Sequence, residues 1–109
     1  PLRDGILDLA VERDLVPMAW SPLAGGSLAT GEGIPTELAA VLDDLASRES
    51  VDRATIAIAF VLSHPTSPIA ILGTQTIERL EKLSEALKVS LTRADVYKII
   101  QASEGVPLP

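Results

Sequence analysis

The stretch Val16-Pro17-Met18-Ala19-Trp20-Ser21-Pro22-Leu23-Ala24-Gly25-Gly26 decides the fold of this chain, together with the later Ile69-Ala70-Ile71-Leu72-Gly73-Thr74. Each is a short apolar run that predicts a buried strand, and each ends in small or hydrogen-bonding residues. Parallel α/β proteins collect their ligands at the carboxyl ends of such strands. Glycine lets the backbone approach a phosphate, and the amino end of the next helix presents unpaired N–H groups to it. The two transitions therefore indicate half of a nucleotide site.

The first predicted strand, residues 16–20, lies between helical segments. Residues 3–13 have the spacing of a short amphipathic helix. Residues 21–35 contain four glycines and two prolines, which predicts a long loop. Residues 36–48 then carry the apolar stripe of a surface helix at Leu38, Val41, Leu42 and Leu45.

The second predicted strand, residues 69–72, follows a helix that is apolar on most sides. Asp52 is the expected N-cap of that helix, residues 54–62, and His64-Pro65 ends it. After the strand, residues 76–88 predict a helix whose inward side chains are Ile77, Leu80, Leu83 and Leu87. Thr92 and Asp95 have capping-box spacing for a last helix to about residue 103, before a tail over residues 105–109.

This order of elements predicts an α/β fold. Two strands, each followed by a helix, form a βαβα unit with a right-handed crossover. Parallel pairs normally lie inside a larger sheet that is covered on both faces, and a (β/α)8 TIM barrel needs about 250 residues. We therefore expect the last βαβα units and the C-terminal helix of such a barrel, present as a partial barrel. Residues 1–109 would be the C-terminal portion of one domain with no internal boundary, and the missing initiator Met favours an excerpted chain.

Composition excludes several classes of function. The chain has no cysteine and a single histidine, His64, so neither a disulfide framework nor a metal site is expected. Its net charge of −6 argues against nucleic acid and anionic membranes as partners. No apolar run is long enough to span a membrane, and the amino terminus does not read as a signal peptide. We expect a cytoplasmic protein.

Three runs in this sequence resemble the aldo/keto reductase family. The run PMAWSPLAGGSLATG (residues 17–31) is similar to the family's seventh-strand segment, where many members carry a "YSPL…GGLLTG" string. Residues 56–65, IAIAFVLSHP, resemble its seventh barrel helix. Ile71-Leu72-Gly73-Thr74 followed by Glu78-Arg79-Leu80 resembles its eighth strand and the helix that grips the adenosine end of NADPH. The three runs occur in the family's order and span essentially the whole chain.

The resemblance implies a role in NADP binding for eight residues. Trp20 matches the aromatic ring that stacks on the nicotinamide. Three residues match the loop that wraps the pyrophosphate through hydroxyl and backbone N–H groups: Ser21, Leu23 and Gly25. Four residues match the surroundings of the adenosine 2′-phosphate: Gly73, Thr74, Gln75 and Arg79. Among them, Arg79 matches the basic residue that pairs with the phosphate.

Two departures from the family pattern affect the adenosine end. Some members carry a lysine where Gly73 stands, so one cation is missing from the phosphate pocket. Many members carry Glu-Asn at the positions of Lys82 and Leu83, where the pair contacts adenine. Lys82 could add charge near the phosphate instead. The preference for NADP over NAD therefore rests mainly on Arg79.

No residue of this chain matches the family's catalytic Asp, Tyr, Lys and His, which come from the first half of the barrel. Tyr97 belongs to the last helix and His64 to a helix end, so we assign no catalytic residue. The resemblance implies that the intact enzyme reduces an aldehyde or ketone by hydride transfer from the nicotinamide, with a tyrosine as proton donor. The 109-residue chain alone is expected to be inactive.

Other interpretations remain open. The protein could be a non-catalytic, nucleotide-binding or regulatory relative, or an inactive stable fragment whose exposed strand edges and apolar barrel face make it self-associate. Residue by residue, Trp20 could be a core side chain, and Gly25 and Gly26 could serve only a turn. Arg79 could simply face solvent, as could Asp43 and Asp44.

Overall fold

A pair of short parallel strands beside a layer of helices makes up the computed structural model, which describes residues 2–107. The elements, in chain order, are α1 (Ile6–Glu12), β1 (Met18–Ala19), a 3-10 turn (Ala24–Gly26), α2 (Ser27–Thr30), α3 (Thr36–Glu49), α4 (Arg53–Leu62), β2 (Ile69–Ala70), α5 (Ile77–Ser84), a second 3-10 turn (Glu85–Lys88) and α6 (Arg93–Glu104).

The two strands pair in parallel, with Met18 opposite Ile69 and Ala19 opposite Ala70. The Ile69 N–H donates to the Pro17 carbonyl and the Ile71 N–H donates to the Ala19 carbonyl, both over 2.9 Å. The predicted strands over 16–20 and 69–72 are thus confirmed as a parallel pair. Their regular pairing is shorter than predicted, because each has one neighbour among the described residues and a ladder on one side only.

The sheet has one covered face and one open face. Side chains alternate across a strand, and Ala70 and Leu72 pack against a helical cluster formed by Ile58, Ala59, Leu83 and Ala86. The alternate positions are exposed in this structure, and we call them the open sheet face: Met18, Trp20, Ile69 and Ile71.

A larger core lies between α3, α4 and α6. Its buried members include Leu42 of α3, Ile56 of α4 and Ile99 of α6. The predicted stripe of α3 is confirmed, with Leu38, Leu42 and Leu45 buried and Val41 half-buried. Helix α4 contributes to both cores, which is why its sequence is apolar on most sides.

Two helix caps form as predicted. Asp52 Oδ1 accepts a hydrogen bond of 2.8 Å from the Thr55 N–H and one of 2.6 Å from the Thr55 hydroxyl. Thr92 and Asp95 form a reciprocal capping box at the start of α6. Arg48 of α3 donates one hydrogen bond of 3.0 Å from Nη1 to Asp95 Oδ1, and its Nη2 forms an ion pair with Oδ2 over 2.9 Å, which ties α3 to this cap.

Two sequence predictions were wrong in part. The loop over 21–35 contains a 3-10 turn and the short helix α2, since left-handed Gly25 and Gly26 let the chain turn and Leu28 then packs on the larger core. The helix over 76–88 ends at Ser84 and tightens to a 3-10 turn.

Only Leu83 of the four side chains predicted to face inward from that helix is buried, while Ile77, Leu80 and Leu87 are exposed. The change from 3.6 to 3.0 residues per turn moves position 87 off the face of position 83, and Ala86 takes the inner place.

The two ends of the described chain lie close together. Helix α1, inside the predicted range 3–13, buries only Ala10, and Arg3 makes a bidentate ion pair with Glu104 at the end of α6. The predicted tail follows α6 without regular structure to Pro107, and residues 108 and 109 lie outside the described residues.

Candidate functional site

The structure places the two strand-to-helix transitions side by side. Because β1 and β2 are parallel neighbours in register, Trp20 and Ser21 leave the sheet at the same edge as Leu72 and Gly73. The Ile71 N–H to Ala19 carbonyl bond joins the strands directly below this edge. The residues predicted for the nicotinamide, the pyrophosphate and the 2′-phosphate therefore follow one sheet edge.

Trp20 is the most exposed large side chain of the sheet, at 81% of its full accessible surface. It belongs to neither core cluster among residues 2–107, so the alternative prediction of a core tryptophan is wrong for this structure. Alternation along β1 puts it on the open sheet face beside Met18. Its ring is available as a flat stacking surface.

The turn after β1 is held by its own hydrogen bonds. Ser21 Oγ accepts from the Gly25 N–H over 3.2 Å, and the Gly26 N–H donates to the Leu23 carbonyl over 3.0 Å. Gly25 and Gly26 have φ of 67° and 99°, so the turn does need glycine. The Ser21 hydroxyl hydrogen remains free to donate to a phosphate, whereas the Gly25 N–H must first leave Ser21.

Leu23 anchors this turn by its side chain. The side chain packs on the cluster that contains Ala59 and Leu83, so only the Leu23 backbone is available to a ligand. The turn thus sits on the same helical cluster that supports β2.

The turn after β2 leads directly into α5. The Thr74 hydroxyl accepts a hydrogen bond of 3.1 Å from the Thr76 N–H, just before the helix begins at Ile77. Gly73 and Gln75 are exposed on either side of Thr74. Arg79 is exposed in the first helical turn, where unpaired N–H groups and a cation can together face an anion.

Sequence reasoning missed an ion pair behind the loop over 21–35. Arg53 donates two hydrogen bonds to Asp43, from Nε over 2.9 Å and from Nη2 over 2.7 Å. These bonds lower the pKa of Asp43 and raise the pKa of Arg53. Asp43 is nevertheless 54% exposed, so the prediction of a solvated side chain is confirmed and the ion pair is an addition to it. Ten residues separate the partners on different helices, so no local pattern could have revealed the pair.

His64 lies at the opposite end of the sheet from this edge. His64 Nδ1 contacts the Thr66 hydroxyl over 2.9 Å in the segment that enters β2, which is the amino end of the sheet. Tyr97 is half-exposed on α6. Within residues 2–107, no group of three or more His, Cys, Asp or Glu side chains is arranged to hold a metal ion. Likewise, none of the helices described is both long and apolar enough to cross a membrane.

Comparison with known proteins gives a consistent result. The sequence model of the Aldo/keto reductase family matches residues 3–104. A 6-dehydroglucose reductase from Novosphingobium aromaticivorans is 38% identical over all of this chain and 38% of its own length. A 6-dehydroglucose reductase from Agrobacterium fabrum is 35% identical over 94% of this chain and 34% of its own length.

The fold agrees with these sequence matches. A thermostable aldo-keto reductase, Tm1743, solved in complex with the inhibitor epalrestat, superposes with a TM-score of 0.76 at 22% identity, over 88% of this chain and 32% of its own chain. The chain spans about a third of the length of these relatives.

Proposed function

This chain belongs to the aldo/keto reductase family, and on that premise we propose that it is the NADP(H)-binding C-terminal part of an oxidoreductase that reduces aldehydes or ketones. The observation that carries the proposal is the shared sheet edge, at which the exposed ring of Trp20, the Ser21–Gly25 turn and the Gly73–Arg79 segment meet. Residues 1–109 would complete one barrel domain as its last βαβα units and C-terminal helix.

The edge divides into two parts with different chemistry. Trp20 would stack on the nicotinamide, and Ser21, Leu23 and Gly25 would face the pyrophosphate through one hydroxyl and backbone N–H groups. Gly73, Thr74 and Gln75 would surround the adenosine 2′-phosphate at the start of α5, with Arg79 as its cationic partner. The loop over 22–35 would cover the pyrophosphate and open for cofactor exchange.

The bound nicotinamide would supply the hydride that reduces the carbonyl carbon. The residues of this chain would orient the cofactor, and the catalytic Asp, Tyr, Lys and His would come from the first half of the barrel. The chain alone would be inactive and would associate through its open sheet face. We also propose that the protein is cytoplasmic.

The substrate to test first is 6-dehydroglucose, because two relatives that cover the chain at 38% and 35% identity are named as its reductases. That test requires this chain within its complete barrel. Other small aldehydes and ketones would serve as comparisons, since the residues described here hold the cofactor and not the carbonyl.

The experiment that tests cofactor binding is a fluorescence titration of the purified chain, of confirmed intact mass, with NADPH and NADH. Arg79→Ala should weaken NADPH binding about tenfold and leave NADH almost unchanged, because a charge-assisted pair with the 2′-phosphate is lost. Arg93→Ala, which removes an exposed arginine from the start of α6, is the matched control. Equal losses for both cofactors would contradict the role of Arg79, and no binding of either cofactor would contradict the proposed function of the chain.

A further inference from the structure

Gly31 is the glycine that leaves the least room for a side chain. Of the seven glycines, all within the described residues, it alone would bring an added Cβ within 4 Å of another group. That Cβ would overlap Nη1 of Arg53 and lie 3.3 Å from Cζ. Gly31 also has φ of 84° and ends helix α2 through a 2.8 Å hydrogen bond from its N–H to the Ser27 carbonyl. The guanidinium of Arg53 thus lies against the backbone at the carboxyl end of the turn that follows β1.

The position of the Arg53 guanidinium is fixed by its ion pair with Asp43. Its two hydrogen bonds to Asp43 fix the plane of the guanidinium, and its side chain is only 19% exposed. Arg53 is also the first residue of α4, where the helix dipole disfavours a cation. The Asp43 carboxylate offsets that effect, and the pair joins α3 to α4 behind the loop.

The opposite end of the same segment is open. Gly25 and Gly26 also have positive φ, yet a Cβ at either would meet nothing within 4 Å. A side chain would therefore find room at residues 25 and 26 but not at residue 31. Residues 25 and 26 are held by the hydrogen bonds of the turn itself, whereas residue 31 lies against the side chain of Arg53.

We propose that Arg53, held by Asp43, is a positioning residue that anchors residues 24–31 at Gly31 and thereby slows the release of NADP(H). The anchor is a property of the free protein, and its effect on the cofactor rests on the function proposed above. Releasing the guanidinium from Asp43 would loosen the segment at Gly31, so the cofactor would exchange faster.

The test compares Gly31→Ala with Gly33→Ala in the 109-residue chain. Both glycines have similar left-handed backbones, with φ of 84° and 75°, but a Cβ at Gly33 meets nothing within 4 Å. The two variants therefore share the backbone cost of alanine and differ in contact with Arg53. Asp43→Asn is the third variant, because it weakens the ion pair with Arg53 without changing the loop. Its control is Asp44→Asn, at an exposed neighbouring position on α3.

The first readout is amide hydrogen exchange of residues 24–31 in the free protein, normalised to the buried amides of α4. We expect Gly31→Ala and Asp43→Asn to raise it about fivefold over their controls, the factor that corresponds to losing about 1 kcal/mol of ion-pair stabilisation. The Gly31→Ala/Asp43→Asn double variant should be no faster than the faster single variant, since both act on one contact.

The second readout is the NADPH dissociation rate by stopped-flow fluorescence, which should rise in the same two variants and not in their controls. If each variant exchanges like its control, the anchor is overturned. If hydrogen exchange differs between the variants and their controls but the NADPH dissociation rate does not, the proposed effect of Arg53 on cofactor release is overturned. A wild-type chain that binds no NADPH overturns the proposed function and the release rate with it, while hydrogen exchange still decides the anchor.

Discussion

Gly73 stands where some members of the family carry a lysine, and its surroundings would accept one. A Cβ at this position would meet nothing within 4 Å, and the backbone is outside the left-handed region. Gly73→Lys should therefore fold normally and add a cation near the proposed 2′-phosphate. We expect NADPH to bind about threefold to tenfold more tightly, with little change for NADH, as measured by fluorescence titration. Gly73→Gln is the control of similar length without charge. Equal gains for lysine and glutamine would place the phosphate elsewhere.

Asp95 makes the stability of the chain depend on pH in the acid range. Hydrogen bonds from Arg48, then from Thr92, lower the pKa of this carboxyl from 3.8 to about 2. A carboxyl whose pKa is lower in the folded state stabilises it above the unfolded pKa, so this contribution is complete above about pH 4 and is lost as pH falls towards 2.

Asp95→Asn should lower the free energy of unfolding by about 1 kcal/mol at neutral pH, after allowance for the partly exposed Arg48 side chain. Urea denaturation at pH 7 and at pH 2.5 measures the difference, which should shrink at the lower pH. Asp44→Asn, on the exposed side of α3, should change stability little at either pH. A constant difference across pH would mean that the charge of Asp95 is not the cause.

The positions of the residues at the candidate edge could be predicted from the sequence, but the ion pair behind them could not. Trp20, Ser21 and Gly73 follow strands directly, and register alone brings strand ends together once the pair is known to be parallel. The Arg53–Asp43 pair depends on how α3 and α4 pack, which no spacing within one element specifies. Local sequence signals therefore predict the residues of the candidate edge but not the Arg53–Asp43 ion pair behind it.

At the scale of elements, the start of α4 depends on one side chain. Asp52 accepts both the Thr55 N–H and the Thr55 hydroxyl, and Thr55 is almost fully buried between α4 and the end of α5. Asp52→Ala should lower the free energy of unfolding by about 1–2 kcal/mol, because an N-cap is lost and a buried hydroxyl loses a partner. Thermal or urea denaturation followed by circular dichroism measures it. Asp52→Asn, which keeps an acceptor oxygen, should recover most of the loss, and an equal loss in both variants would exclude capping as the cause.

Helices with a sustained period or a cap could be predicted from sequence, whereas the short helix α2 and the carboxyl end of α5 could not. The stripe of α3, the apolar α4 and the capping box of α6 all gave the correct elements. The carboxyl end of α5 carries no stop signal, so its change to a 3-10 turn and the exposure of Leu87 follow from packing instead. Helix α2 has four residues, too few for periodicity to show.

At the scale of the whole molecule, the apolar surface is unevenly distributed. The helical side of the sheet is covered, while the four side chains of the open sheet face are at least 45% exposed. In a complete barrel of this family, such positions would fill the interior together with the other strands. The outer edges of β1 and β2 also carry backbone groups that another strand could pair with.

The chain by itself should therefore associate with copies of itself through the open sheet face. Sedimentation velocity at about 100 μM should show species heavier than the 11.5 kDa monomer. Met18→Lys/Ile71→Lys places two charges on that face and should shift the distribution towards monomer. Val11→Lys/Leu87→Lys makes the same change in charge at exposed apolar residues outside the sheet, on α1 and after α5, and should leave association intact. A wild-type monomer at this concentration would contradict the expectation. Equal dissociation by both double variants would attribute association to overall charge, because only the first pair removes apolar contact from the sheet.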